Sequence, residues 1–204
     1  MTERPGRSEV ARSTGRVLAA LEEHALLLLQ DPRLPSVVGL VTGDASPRAS
    51  WWSHPQAHEV FAVLGALGEH PDVLFTKLLL GKVTLVHRTL WPSLLTVAGS
   101  GAEWQTRKLS AAARRLRERV EQEGAVTAHG AAVKELELRL LVHVEEVHTE
   151  SGKHALCLES WRAWARRRKV RAARSLPRAR RDLEAAVAEL GATPAALPWP
   201  AGSG

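Results

Sequence analysis

Apolar residues along this 204-residue chain recur mostly at three- and four-residue steps, the spacing of a helix that buries one face. Val17, Leu18, Leu21, Ala25, Leu28 and Leu29 predict an amphipathic helix over 10–30, stopped by Asp31-Pro32. Residues 35–50 hold two prolines and two glycines around an apolar run, and predict a loop with a short helical turn. Ser53 then reads as an N-cap with Pro55 in the first turn of a helix running to about Glu69, which presents Val60, Phe61, Val63, Leu64 and Leu67.

The period changes at 72–90. Two apolar, partly β-branched runs flank Gly81-Lys82 and predict a hairpin with a two-residue turn, pairing Leu80 with Val83 and Thr76 with His87. A short helix follows Trp91-Pro92, and Gly99-Ser100-Gly101 is the best boundary in the chain. Beyond it, Ser110 opens a helix through Glu123, closed by Gly124; 125–128 reads as a short extended link and 131–141 as a second helix. Residues 142–160 fit two patterns. A hairpin around Ser151-Gly152 pairs Val147 with Leu156 and Glu150 with Lys153, given a bulge at Glu145-Glu146; a continued helix keeps Val133, Leu136, Leu140, Val144 and Val147 in step. The hairpin is the reading adopted.

The expected fold is therefore α+β, predominantly helical with two short β-hairpins. Its organisation is a disordered N-terminus (1–9), an N-terminal α+β module (10–98), a second module (103–160), a basic helical extension (161–190) and a disordered tail (191–204).

Charge sharpens this picture. The chain carries +6, yet ten of the 20 residues from Arg162 to Arg181 are Lys or Arg and none is acidic, so the remainder carries 6 − 10 = −4. Placed charge of this density points to a polyanion, because phosphate backbones bind such segments by releasing condensed counterions. The run lacks the wide apolar face that a membrane-surface helix needs. The longest apolar run, 25–29, is far short of the roughly 20 residues that span a bilayer. No signal-peptide pattern opens the chain, and the single Cys157 permits no internal disulfide and gives no basis for a Cys-based zinc site. A cytoplasmic protein with no membrane partner, cofactor or metal is the expectation, with a homodimer or a protein partner left open.

The order helix, short link, helix, hairpin over 109–160 resembles the winged helix-turn-helix, a DNA-binding fold. The resemblance implies that the second helix enters the major groove through Lys134, Glu135, Leu138 and Arg139, with Lys153 and His154 at the wing tip. That helix carries as many acids as bases, and the hairpin adds Glu145, Glu146 and Glu150, which suits a phosphate surface only if they point away.

On the basic run, Arg162, Arg166 and Lys169 share a helical face, with Arg167 and Arg168 beside them and Arg171 and Arg174 extending the line. These side chains are expected to follow a phosphate backbone, and replacing Arg166, Arg167, Arg168 and Lys169 together is expected to abolish binding without unfolding the chain. Trp161 and Trp164 either stack on exposed bases or pack the helix onto the wing. The functional expectation is a nucleic-acid-binding protein, DNA in the first place and a transcriptional regulator in type. One alternative is a DNA or RNA repair or processing enzyme whose active residues are His54, His58, Lys77 and His87. The other is an interaction module for an acidic protein.

Overall fold

A computed structural model of the protein describes residues 6–44, 50–148 and 154–200. In chain order the elements are α1 (Arg7–His24), β1 (Leu26–Leu28), α2 (Val37–Thr42), α3 (Ala57–Gly68), β2 (Val73–Lys77), β3 (Val83–His87) and α4 (Trp91–Ala98). They continue with α5 (Glu103–Thr106), α6 (Ala111–Glu123), β4 (Ala125–Ala128), α7 (Ala131–Leu138), β5 (His143–His148), β6 (His154–Glu159), α8 (Trp161–Arg168) and α9 (Leu176–Glu189). The class is α+β and mostly helical, with each expected hairpin extended to a three-stranded antiparallel sheet, in the orders β1-β3-β2 and β4-β6-β5. No helix among the described residues is long and apolar enough to cross a membrane.

Three consecutive leucines explain why α1 stops six residues before the expected end. Leu26, Leu27 and Leu28 are all fully buried. Helical steps of 100° would turn one of them outward, whereas a strand covered on both faces buries all three. Ala25 makes the break with a left-handed φ of 57°, and Leu26 pairs with Val86. The start of α3 is also later than expected. His54 precedes Pro55 and is held extended (ψ 142°), so Ser53 cannot cap a helix through it. Trp51–Ser53 form a 3-10 turn instead, and α3 begins after Gln56.

The first hairpin has a different register from the one expected. Thr76 opposes Thr84, not His87, and His87 opposes Val73. The turn is centred on Leu80 and Gly81, both at positive φ (55° and 66°), and closes through the Lys82 N–H on the Leu79 carbonyl at 2.8 Å. This placement lets Leu78 and Leu79 bury, and Leu80 is fixed by donating its N–H to the Ala196 carbonyl (2.7 Å).

In the second module Ser110 caps α6, as its position predicts, and Gly124 ends that helix at φ 84°. Helix α7 stops at Leu138, three residues early, because Leu140 adopts φ 51° and turns into the N-terminal core. β5 and β6 pair antiparallel, one residue off the expected register and without a bulge among the described residues: Val147 opposes Ala155, and Glu145 and Glu146 oppose Cys157 and Leu156. The expected pair Glu150–Lys153 lies outside the described residues.

Two cores result. The smaller is built from Leu109, Leu116, Val120, Val133, Leu136, Val142 and Leu158 and their neighbours. The larger collects α1 to α4 and the first sheet, and then takes in Trp161, Trp164, the buried face of α9, Leu197 and Trp199. The basic segment is therefore no extension: it packs on the N-terminal module, and the second module is inserted before it. The expected disordered tail packs on the core as far as Trp199, which is 3% exposed and donates its indole N–H to Glu184.

Gln105, fully buried, ties the two units together. Its amide donates to the carbonyls of Ala98 and Arg139, and its oxygen accepts from Ser100 Oγ and the Ala102 N–H. Gln105→Met keeps the volume but strands these groups, and urea unfolding should show a loss of about 2–3 kcal/mol.

Candidate nucleic-acid interface

The basic surface starts from a capped helix. Ser160 Oγ accepts from the Ala163 N–H and starts α8, whose Trp161 and Trp164 are one turn apart and so share a face. Both are buried: Trp164 meets Trp91 edge-on at 5.1 Å and Trp161 at 5.8 Å. The packing alternative for these two rings is the one the structure adopts, and neither can stack on a base. The opposite face presents Arg162, Arg166 and Lys169 to solvent. Lys169 ends the helix in the left-handed region at φ 55°, and the three bases of the last turn complement the negative end of the helix dipole.

The linker that follows is fixed to α4. The Ala173 N–H donates to the Pro92 carbonyl, and Thr96 Oγ1 donates to the Ala173 carbonyl. Arg171 and Arg174, both exposed, therefore project from a positioned backbone. Ser175 caps α9, which buries Ala179, Leu183 and Val187 and exposes Arg178 and Arg181. A base in the first turn of a helix meets the positive end of its dipole, so local helix energetics do not favour Arg178 there. Arg162, Arg166, Lys169, Arg171, Arg174, Arg178 and Arg181 have no ion pair among the described residues. Arg178 and Arg181 were not singled out in the sequence, although they belong to the same acid-free run.

No family model, curated protein or solved structure matches this chain.

Two of the expected contact residues on the basic run have structural duties instead. Arg167 donates to Glu159, with Glu145 3.7 Å away. The Arg168 guanidinium lies over the rings of Trp91 (5.7 Å) and Trp164 (6.0 Å), a cation–π seat. Replacing these two along with Arg166 and Lys169 would remove packing as well as charge, contrary to the expectation that the fourfold change leaves the fold intact.

Helix α7 is not free to enter a groove as the resemblance implies. Leu138 Cδ2 is 3.0 Å from where a Cβ on Gly81 would sit. Glu137 accepts from Lys77 Nζ at 2.6 Å, and Glu135 accepts from the Ser110 N–H. One nitrogen of Arg139 serves the carbonyls of Trp104, Gln105 and Arg107. Of the four residues expected to face the groove only Lys134 is exposed, and Lys153 at the wing tip lies outside the described residues.

The four residues of the enzyme alternative do not converge. His54 lies outside α3, where its Nδ1 accepts from the Gln56 N–H, so it does not share a helical face with His58. His58 is exposed on the wall of an apolar groove of about 840 Å³ between α1 and α3. Lys77 and His87 stand at opposite ends of the first hairpin, four residues and roughly 13 Å apart along the ladder. Lys77 is held by Glu137, and His87 Nδ1 lies 3.0 Å from Thr89 Oγ1.

Proposed function

We propose that this protein binds nucleic acid, duplex DNA in the first place, through the surface formed by α8, the 169–175 linker and the start of α9. The observation that carries the reading is the group of seven exposed bases without an ion pair among the described residues, on backbone held by capped helices and by α4. Surface helices ordinarily interleave signs to gain i,i+4 pairs, and residues 162–181 hold no acid to form one within the run. Because Trp161 and Trp164 are buried, the surface offers charge without a base-stacking platform. That combination reads the phosphate backbone and not the bases. The order of elements over 109–160 keeps its resemblance to a winged helix, but the bound nucleic acid lies against the basic flank and not along α7.

Changing Arg162, Arg166, Lys169, Arg171 and Arg174 together to Gln tests this. All five are exposed, so circular dichroism and the unfolding midpoint should stay near wild type. Affinity for a labelled DNA duplex should fall on the order of a thousandfold near 0.1 M salt, since each lost phosphate contact removes about 0.9 from the log–log salt slope. Affinity retained within about threefold would overturn the assignment.

A further inference from the structure

The second sheet has a polar side. Val142, Val144, Leu156 and Leu158 face the smaller core, so the residues between them, His143, Glu145, Cys157 and Glu159, share the opposite face, against α8. His143 opposes Glu159 directly, and Glu145 opposes Cys157 in the next pair. One ring nitrogen of His143 and one carboxylate oxygen from each of Glu145 and Glu159 all lie within 4.8 Å of one another.

His143 is the informative member. Its side chain is only 6% exposed, and its ring packs against Trp161 at 5.5 Å and Trp164 at 5.8 Å. Nδ1 has no hydrogen-bond partner, yet it lies 3.6 Å from Glu159 Oε1. A buried polar atom aimed at a carboxylate without bonding to it is a costly arrangement in a folded protein. A cation held between the two accounts for it. In the metal-free protein the positive charge comes from Arg167, which donates to Glu159 and reaches toward Glu145 from a half-exposed position.

We infer that His143, Glu145 and Glu159 form a binding site for one divalent transition-metal ion of the zinc class, with the Arg167 guanidinium standing in the ion's place when no metal is bound. The donor set selects that class. An imidazole nitrogen with two carboxylates suits zinc and its neighbours, whereas magnesium and calcium prefer oxygen throughout. Three protein ligands leave one position of a tetrahedral ion open, the pattern of zinc sites that also hold water or substrate. Ligand atoms of such an ion sit about 2.0–2.2 Å from it, so the present separations must tighten. Glu145, with half its side chain in solvent, has the freedom to close them.

The site stands independently of the nucleic-acid reading. Its test is calorimetric titration of the full chain, freed of metal by a chelator, with Zn²⁺ alone. Wild type should take up one ion per chain in a saturable step. Glu145→Gln, an exposed change that leaves the core intact, should weaken that step about tenfold or more, as should His143→Gln if it folds. Glu146→Gln, on the other face of the same strand, should leave it unchanged. Arg167→Ala should tighten binding about tenfold, because the competing guanidinium is gone. An absence of saturable binding by wild type, or binding that survives Glu145→Gln undiminished, overturns the site.

Discussion

Trp164→Ala should lower stability by about 3–5 kcal/mol, the usual cost of emptying a buried tryptophan site. The ring is 1% exposed and sits at the centre of a cluster, edge-on to Trp91, beside Trp161 and His143, and beneath the Arg168 guanidinium. Its neighbours come from three elements, α4, β5 and α8, so no single side chain can move in to fill the space. The change also releases Arg168 and loosens the helix that presents Arg162, Arg166 and Lys169. Urea unfolding should show the large fall in midpoint, and nucleic-acid affinity should fall with it where the folded fraction drops. A loss under about 1 kcal/mol would mean that α8 is not anchored through this ring.

Acid should destabilise the metal-free protein through His143. Burial, with Arg167 and Arg168 nearby, holds its imidazole at a pKa of about 3, far below the ordinary 6.5. The unfolded chain takes up this proton below about pH 6.5, while the folded chain refuses it until about pH 3. Stability from this group is therefore complete above pH 6.5 and is lost steadily as pH falls, at up to about 1.4 kcal/mol per pH unit. Unfolding measured in the presence of a chelator between pH 7 and pH 5 should show this slope in wild type and a flatter one in His143→Gln. Parallel pH profiles for the two proteins would show that His143 does not carry the effect.

Much of the architecture was legible in the sequence, where local signals agreed with tertiary packing. Ser110 and Gly124 bracket α6 because a cap hydroxyl and a left-handed glycine act locally. The pairing of β5 with β6 was legible as well, though not its register. The departures are all places where a distant partner decides. Leu26–Leu28 continue a helical pattern, and only β3 makes them a strand. The first hairpin shifts register because Leu78 and Leu79 have a core to enter and the Ala196 carbonyl waits for Leu80. Residues 191–200 are rich in Pro, Ala and Gly, yet Leu197 and Trp199 find a place on the large core.

The candidate site divides along the same line. The charge of 162–181 is visible in the sequence, because exposure needs no partner. Which of its bases are free is not: Arg167 and Arg168 differ from Arg166 and Lys169 only through Glu159, Glu145, Trp91 and Trp164. Arg139 and Lys77 likewise carry charge suited to a ligand and spend it on the junction between the two units. The grouping of His143, Glu145 and Glu159 depends on strand register, which differs by one residue from the expected one.

The central claim is that the face of α8, the linker and the start of α9 binds a phosphate backbone by charge. The most direct measurement is the affinity of the wild-type protein for a short labelled DNA duplex across a salt series from about 50 to 200 mM. With about six phosphate contacts the log–log slope should be near −5, and it should flatten to about −1 in the variant lacking Arg162, Arg166, Lys169, Arg171 and Arg174. No binding at the lowest salt, or a slope that the variant leaves unchanged, would contradict the account.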